Sequence, residues 1–135
     1  MTYEEIIQEE YKRKLVSADE AVRHIRSGDV VDYGFFNGKP VVVDQALAKR
    51  APELSDVSVY MAVTLPPLPE IAKFPDSFIY IDWQWSKLTR MVKKGVGPAF
   101  YSPILYHEAP HLYRMLASQE AGLTPEMNVA YRSSY

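Results

Sequence analysis

Short apolar segments with strand-like spacing alternate along this chain with segments of helical spacing, and this alternation limits the possible folds more than any other feature. Residues 29–35, 56–63 and 78–82 are rich in valine, isoleucine, tyrosine and phenylalanine, which predicts three strands. Apolar stripes at helical spacing lie between them. Strands that alternate with helices predict an α/β domain with an open, mainly parallel sheet and helices on both faces.

Capping signals mark where the first helices begin. Thr2 stands three residues before Glu5, and Ser17 stands three residues before Glu20, which is the spacing of the capping box. The other predicted elements are a helix over 40–50, a helix over 86–95, an extended segment over 100–105, a helix over 110–118 and a fourth strand over 127–131.

The first predicted helix, over residues 3–13, has a large polar face and few apolar positions. This pattern is typical of an arm that rests on a partner surface. We therefore divide the chain into an N-terminal helical arm, residues 1–14, and one domain over residues 15–135.

Charge and cysteine content exclude several classes of function. The 135 residues carry 15 Lys and Arg against 17 Asp and Glu, a formal net charge of −2, with no cysteine. A nucleic-acid binder would show a basic excess, and without cysteine there is no disulfide, thiolate nucleophile or cysteine zinc site. Since no signal-peptide pattern or membrane-spanning apolar run is present, we expect a cytoplasmic protein with no membrane partner.

The segment Gly34–Pro40 carries the strongest local signal for a ligand. It joins the end of the first predicted strand to the start of a helix, where open α/β sheets bind their ligands. Backbone N–H groups there favour a phosphate, a carboxylate or an oxyanion, and the glycines Gly34 and Gly38 would allow close approach. The alternative interpretation, a plain connection that needs glycine for its turn, stays open.

His107, Glu108 and His111 match the H-E-x-x-H pattern of zinc hydrolases, which needs one helical turn to bring both imidazoles together. Here Pro110 stands between the two histidines and disfavours that helix. Glu120 or Glu126 would be the third ligand. We expect two solvent-facing histidines near a helix start rather than a metal site.

The remaining motifs give weaker indications of function. Residues 95–100 begin like a dinucleotide fingerprint, but Phe100 replaces the third glycine, so we interpret them as a helix cap and turn. Trp83 and Trp85 are interpreted as core or interface residues. Asp44 and Asp82 are isolated carboxylates that no sequence feature pairs for acid–base chemistry. The residues alone therefore identify no catalytic group.

An ordered series of sequence blocks resembles the amino-terminal part of the acetyl-CoA hydrolase/CoA-transferase family, in particular its 4-hydroxybutyrate and butyryl-CoA:acetate CoA-transferases. The resemblance runs from about residue 15 to about residue 131. The blocks are Ser17–Ala21, Ile25–Val31, Gly34–Phe35, Gly38–Pro40, Ala46–Arg50, Asp56–Val59, then Ser86, Arg90 and Gly95, and finally Pro103 with His107–Pro110.

The resemblance implies a fold and a reaction. Family members resemble ribose-phosphate isomerases, with an open α/β sheet in each of two halves, and they move coenzyme A between a thioester and a carboxylic acid. A glutamate of the carboxy-terminal half attacks the thioester, so that an acyl-glutamyl anhydride and then a glutamyl-CoA thioester form. Backbone and amide donors stabilise the oxyanion.

Family members are far longer than this chain, so the resemblance implies that residues 15–135 are an incomplete CoA-transferase-like amino-terminal domain: a fragment, a truncated product or a separate subunit. We expect no catalytic residue and no metal here, and no bound cofactor, with a coenzyme A thioester as substrate. The expected partners are the carboxy-terminal half, on the same or a second chain, and further copies in a homo-oligomer. The predicted substrate-binding residues are Gly34, Phe35, Asn37, Gly38, Pro40 and Thr64.

Two alternatives stay open beside coenzyme A transfer. The first is acetyl-CoA hydrolysis, which the same resemblance implies. The second is a non-enzymatic subunit that keeps the fold and binds the ligand without turnover. Because the other half of the sheet system is missing, we also expect an exposed apolar edge and face that promote association.

Overall fold

The computed structural model describes residues 2–120, and the strand predicted over 127–131 lies outside them. The chain divides into two compact units, Met1–Ser102 and Pro103–Tyr135, which are described separately. In chain order the elements are α1 (Tyr3–Lys14), α2 (Ala18–Ala21), β1 (Val30–Phe35), α3 (Val41–Lys49), β2 (Val57–Ala62), β3 (Phe78–Asp82), α4 (Lys87–Gly95), β4 (Ala99–Tyr101) and α5 (Ala109–Glu120).

The first unit is built on a four-stranded sheet in the order β1-β2-β3-β4, and every neighbouring pair is parallel. Val59 of β2 lies opposite Val31 of β1 and Tyr80 of β3, and Tyr80 lies opposite Ala99 of β4. The predicted α/β class with a parallel sheet is confirmed. The short strand β4 comes from the segment that we predicted only as extended.

The core lies on one face of this sheet. Alternate residues of β2 and β3 are buried, including Val57, Val59, Phe78 and Tyr80, while the residues between them are only half-buried. Because the strands follow one another in order, right-handed crossovers place the connecting helices α3 and α4 on the same face, and not on both faces as the sequence predicts. Leu47 of α3 and Val92 of α4 are fully enclosed there.

The N-terminal helices follow their predicted starts. Thr2 caps α1 with the full capping box: its side chain accepts the Glu5 N–H at 3.2 Å, and its own N–H donates to the Glu5 carboxylate at 2.6 Å. No residue of α1 is buried. The boundary between an arm, 1–14, and a domain, 15–135, stays a prediction.

Ala21, Val22 and Ile25 have helical spacing after the cap at Ser17, but the second helix is shorter than this spacing predicts. It ends at Ala21 and continues as a 3-10 turn over Val22–His24, after which the chain is extended. Arg50 donates hydrogen bonds to the carbonyls of Val22 and, at 2.9 Å, of Ile25. These carbonyls are satisfied by a distant guanidinium, so a further helical turn is not needed to pair them.

The second unit begins with a 3-10 turn over Tyr106–Glu108, and α5 follows it directly. Pro110 is the second residue of α5, one position later in the helix than the sequence predicts. A proline is tolerated there because its missing N–H would have no helical acceptor.

Candidate functional site

The carboxyl ends of β1 and β2 lie side by side and share an unusual backbone. Phe35 pairs with Ala62 in the sheet register, and the next residue on each strand, Phe36 and Val63, has a left-handed φ, 49° and 52° respectively. Few residues other than glycine adopt this conformation, and a β-branched valine is a clear exception. Such strain gathers at functional sites more often than elsewhere, which marks this edge for attention.

The turn after β1 is open to solvent. Gly34 has a φ of 71° and donates its N–H to the Asp32 carboxylate at 2.5 Å. Residues Phe36–Gly38 form one 3-10 turn, and Phe36 is 52% exposed. A strand therefore precedes this turn, and the turn is not packed against the core. An exposed connection at the carboxyl end of a parallel strand is where open α/β sheets bind ligands.

Lys39 ties this turn to the segment that follows β2. Its ammonium donates to the carbonyl of Leu65 at 2.7 Å and to the carbonyl of Pro67. Partial burial lowers the pKa of Lys39, while the nearby Asp44 carboxylate acts in the opposite direction. The connections after β1 and β2 are thus linked by one cationic side chain.

Asp44, in the first turn of α3, is a buried carboxylate with three donors. It is only 2% exposed and accepts hydrogen bonds from the Tyr33 hydroxyl at 3.2 Å, the Glu70 N–H at 2.7 Å and the Ile71 N–H at 3.4 Å. Burial raises the pKa of Asp44 above its ordinary value, and the donors and Lys39 oppose that rise. Asp44 thereby fastens α3 to β1 and to the 3-10 turn that follows β2.

A second buried carboxylate, Asp82, ends β3 and has no exposed surface. Its Oδ1 accepts the Val63 N–H at 3.0 Å and the Gln84 N–H at 3.1 Å, and its Oδ2 accepts the Thr64 N–H at 3.4 Å. The left-handed turn after β2 is therefore bonded through its backbone to the end of β3.

Three hydroxyl groups complete the surroundings of Asp82. Thr89 of α4 donates to Oδ2 at 2.7 Å, Thr64 at 2.9 Å and Tyr80 at 3.2 Å. The Thr64 and Tyr80 hydroxyl oxygens also lie in contact with each other. Burial is the largest cause of the raised pKa of Tyr80, so this phenol stays a neutral donor.

The structure brings the predicted substrate-binding residues to the ends of two neighbouring strands. Gly34 and Phe35 end β1, Asn37 and Gly38 lie in the exposed turn, and Pro40 stands directly before α3. Thr64 differs from them. It follows β2 but is 3% exposed, with its hydroxyl inside the Asp82 cluster. Whether these residues contact a substrate stays a prediction.

Sequence reasoning missed the two aspartates that fix this edge, although a signal was present. Asp82 is in phase with Phe78 and Tyr80 on the inward face of β3, as alternation in a strand dictates. Asp44 stands three and four residues before Leu47 and Ala48, on the buried face of α3. A carboxylate at a core position of an apolar element needs a set of donors.

The tryptophans bear out their interpretation in one case. Trp83 follows β3, is 3% exposed and packs edge-on against Phe35, with 5.1 Å between ring centroids. Trp85 is half-buried, and the Lys93 ammonium lies 5.1 Å from its ring centroid. Residues 95–98 form a helix end and a turn, because the Val96 and Gly97 N–H groups both return to the Val92 carbonyl, whereas residues 99 and 100 already belong to β4.

Among the side chains that the structure describes, those of residues 2–115, no three His, Asp or Glu groups converge as a metal site would require. Glu108 of the H-E-x-x-H pattern instead accepts the Leu105 N–H at 2.8 Å. Within the same residues, no helix has the length and apolar character to cross a bilayer.

The chemistry available at this edge is binding rather than attack. Asp44 and Asp82 are enclosed and their oxygens are engaged by donors, so neither is placed to act as a nucleophile. The exposed side offers backbone and the Phe36 ring, while the ammonium of the half-buried Lys39 is bonded to two carbonyls.

Comparison with known proteins shows which family this chain belongs to. Residues 1–121 match the model of the acetyl-CoA hydrolase/transferase N-terminal domain. The chain is 40% identical over 111 residues to "Butyryl-CoA:acetate CoA-transferase" of Anaerostipes caccae, and 38% identical over 109 residues to "Probable butyrate:acetyl-CoA coenzyme A-transferase" of Syntrophomonas wolfei. These alignments cover 79% and 78% of this chain but 24% of each relative.

Solved structures give the same answer. The crystal structure of RipA from Yersinia pestis superimposes with a TM-score of 0.67 at 26% identity, covering 78% of this chain and 27% of RipA. The chain belongs to the acetyl-CoA hydrolase/transferase family and corresponds to its N-terminal domain. It spans about a quarter of the length of the relatives that it matches.

Proposed function

From this family membership we propose that the chain supplies one wall of the active site of a CoA-transferase. The enzyme would move coenzyme A between an acyl-CoA thioester and a short-chain carboxylic acid of the 4-hydroxybutyrate, butyrate or acetate class. The observation that carries the proposal is the match of residues 1–121 to the family, together with relatives named for exchange between butyryl-CoA and acetate.

The geometry of the edge supports a binding role. Phe36–Gly38 is exposed at the end of β1, beside the left-handed turn that ends β2. In this proposal Gly34, Phe35, Asn37, Gly38 and Pro40 contact the acyl group or the carboxylate of the acceptor. Thr64 would act by shaping the turn beside them, because its hydroxyl and its N–H are both already engaged by Asp82.

The nucleophile in this proposal is a glutamate outside these 135 residues. Its carboxylate attacks the thioester carbonyl, the C–S bond breaks, and coenzyme A leaves that carbonyl as a thiolate, which gives an acyl-glutamyl anhydride. The thiolate then attacks the glutamyl carbonyl, which releases the first acid and leaves a glutamyl-CoA thioester. Attack by the acceptor carboxylate and return of the thiolate complete the exchange.

Hydrolysis of acetyl-CoA is the alternative function. The family is described as containing both hydrolases and transferases, so membership in it is consistent with either activity. The two outcomes differ in whether water or a carboxylic acid takes the acyl group. A binding subunit without turnover is a third outcome of the same experiment.

The test is an exchange assay on the complete gene product, with any downstream sequence included. We expect butyryl-CoA and isotopically labelled acetate to give labelled acetyl-CoA by mass spectrometry. Free coenzyme A without labelled thioester would indicate the hydrolase. Tight binding without either product would indicate the binding subunit, and no binding or turnover with short-chain thioesters would contradict the proposal. The 135-residue chain alone is expected to be inactive.

A further inference from the structure

Val63 adopts a backbone conformation that its side chain disfavours. Its φ is 52°, and a β-branched residue crowds its own backbone in the left-handed region. Such a conformation persists only where the surrounding structure holds it. The residue follows directly on β2, so it decides where the chain goes after leaving the sheet.

The group that holds Val63 is the carboxylate of Asp82. Turn backbone of this kind brings successive N–H groups to one side, where they form a small concave site for an anion. Here the Val63 and Thr64 N–H groups both meet Asp82, at 3.0 and 3.4 Å. Asp82 thus occupies, as an internal anion, the concave site that the turn creates.

Asp82 is itself fixed from the opposite side. The Thr89 hydroxyl of α4 donates to Oδ2 at 2.7 Å, and the Gln84 N–H donates to Oδ1 at 3.1 Å. The side chain has no exposed surface, which leaves it no room to change rotamer. Asp82 therefore links the turn after β2 to α4 and to the end of β3, and a shift of either would move the turn.

The turn that Asp82 holds borders the proposed acid-binding edge. Phe35 of β1 and Ala62 of β2 are paired in the sheet. Phe36 follows the first and Val63 follows the second, so they lie at the ends of neighbouring strands. Two residues beyond Val63, the Leu65 carbonyl accepts the Lys39 ammonium at 2.7 Å. A change in the course of the chain at Val63 would shift the connections after both strands.

We propose that Asp82 is a positioning residue: it holds the Val63–Thr64 turn in its left-handed course and so sets the shape of the edge that receives the acid. Its effect on the acid rests on the proposed function. Its hold on the turn does not.

The test uses a mutational cycle in the complete gene product, read by melting temperature and by exchange kinetics. Asp82→Ala removes both acceptor oxygens. Val63→Gly in that background lets residue 63 adopt positive φ without strain. The matched control is Asp56→Gly, which relieves the same kind of backbone, φ 55°, at the other end of β2.

A conservative variant completes the set. Asp82→Asn keeps one oxygen for the Val63 and Gln84 N–H groups. Its amide replaces Oδ2 and donates to hydroxyls that can reverse their roles, and only the weak bond from the Thr64 N–H at 3.4 Å loses its acceptor. If Asp82 acts only as a buried charge, Asp82→Asn should be as harmful as Asp82→Ala. If Asp82 acts by holding the turn, Asp82→Asn should be much less harmful, because the Val63 N–H keeps its acceptor.

We expect Asp82→Ala to raise KM for the acid by about tenfold, with a smaller change in kcat, and to lower the melting temperature by several degrees. Asp82→Asn should stay within about threefold of the unmutated KM. Val63→Gly should recover part of both losses, and Asp56→Gly should recover neither. Equal recovery by both glycine variants, or none by Val63→Gly, would overturn the proposal.

Two further results keep the outcomes separate. If the unmutated enzyme exchanges no coenzyme A, the proposed function fails, while the melting-temperature cycle still judges the hold on the turn. If Asp82→Ala does not fold, amide hydrogen exchange in the unmutated 135-residue chain decides. The Val63 and Thr64 amides should then exchange at least about a hundredfold more slowly than Asn37, and equally fast exchange would refute the hold.

Discussion

Asp44 and Asp82 are both enclosed carboxylates near the carboxyl edge of the sheet, but their surroundings differ. Asp44 accepts three hydrogen bonds, and burial raises its pKa despite them and despite the nearby Lys39. Asp82 accepts six, three from backbone and three from hydroxyls. The difference shows two ways to keep a carboxylate inside a small domain: a few donors with a partial ionic partner, or a complete shell of neutral donors.

The two aspartates also hold different parts of the molecule. Asp44 fastens α3 to the 3-10 turn at Glu70 and Ile71, which is general scaffold. Asp82 fastens a strained turn at the proposed binding edge. The larger set of donors therefore serves the residue whose position matters for the proposed function.

The largest expected effect is the loss of stability on truncating each carboxylate. Asp82→Ala should lower the free energy of unfolding by about 4 kcal/mol, because it leaves six donors without their acceptor, four of them in buried hydrogen bonds. Asp44→Ala should cost about 2 kcal/mol, since it strands half as many. Urea denaturation of the 135-residue chain measures both. Equal losses would show that the number of donors does not distinguish the two sites.

Removing one donor at a time sharpens the same comparison. Thr89→Val takes one hydroxyl from Asp82 and should cost about 1.5 kcal/mol, because a hydrogen bond to a charged group is stronger than a neutral one. Tyr33→Phe takes one of three donors from Asp44 at a longer distance, 3.2 Å, and should cost about 1 kcal/mol. It should also raise the pKa of Asp44 further. NMR titration of the Asp44 carboxyl carbon checks that direction, and an unchanged or lower pKa would contradict it.

Much of this fold could be predicted from periodicity, and the parts that could not depend on distant partners. β3 begins and ends where its apolar alternation predicts, at Phe78 and Asp82. The helix after Ser17 stops early because Arg50 bonds to its carbonyls. No local pattern encodes a contact between residues so far apart in sequence.

The candidate site divides in the same way. Glycine and turn residues predicted the position of the connection after β1, and the structure places it as an exposed turn. The bonds of Asp82 to Val63 and of Asp44 to Glu70 join residues 19 and 26 positions apart. Only the packed sheet brings these residues together. The sequence does indicate that donors must surround each aspartate, because each carboxylate occupies a position that faces the core.

Lys39 provides a smaller test, because it is the ionic partner that Asp44 has and that Asp82 lacks among the contacts described. Lys39→Met removes donors from the carbonyls of Leu65 and Pro67 and should cost about 1 kcal/mol at its partly exposed position. The pKa of Asp44 should rise further. Lys49→Met is the matched control, since the Lys49–Asp19 pair is exposed and should contribute almost nothing. Equal effects of the two variants on stability and on the pKa of Asp44 would show that Lys39 does not act as the ionic partner of Asp44.

The smallest effect expected is a pH dependence that belongs to Asp44. Because the pKa of Asp44 in the folded chain lies above its ordinary value of 3.8, the folded state binds this proton more tightly than the unfolded state does. The stabilising contribution is complete below the unfolded pKa and is lost as pH rises through the folded one. From neutral pH downward, the unmutated chain should therefore gain stability relative to Asp44→Asn, which cannot titrate. Urea denaturation of both chains at several pH values between about 4 and 7 measures this difference. A difference that shrinks as pH falls would mean that its donors, and not burial, dominate at Asp44, and the contrast between the two aspartates would then be one of degree only.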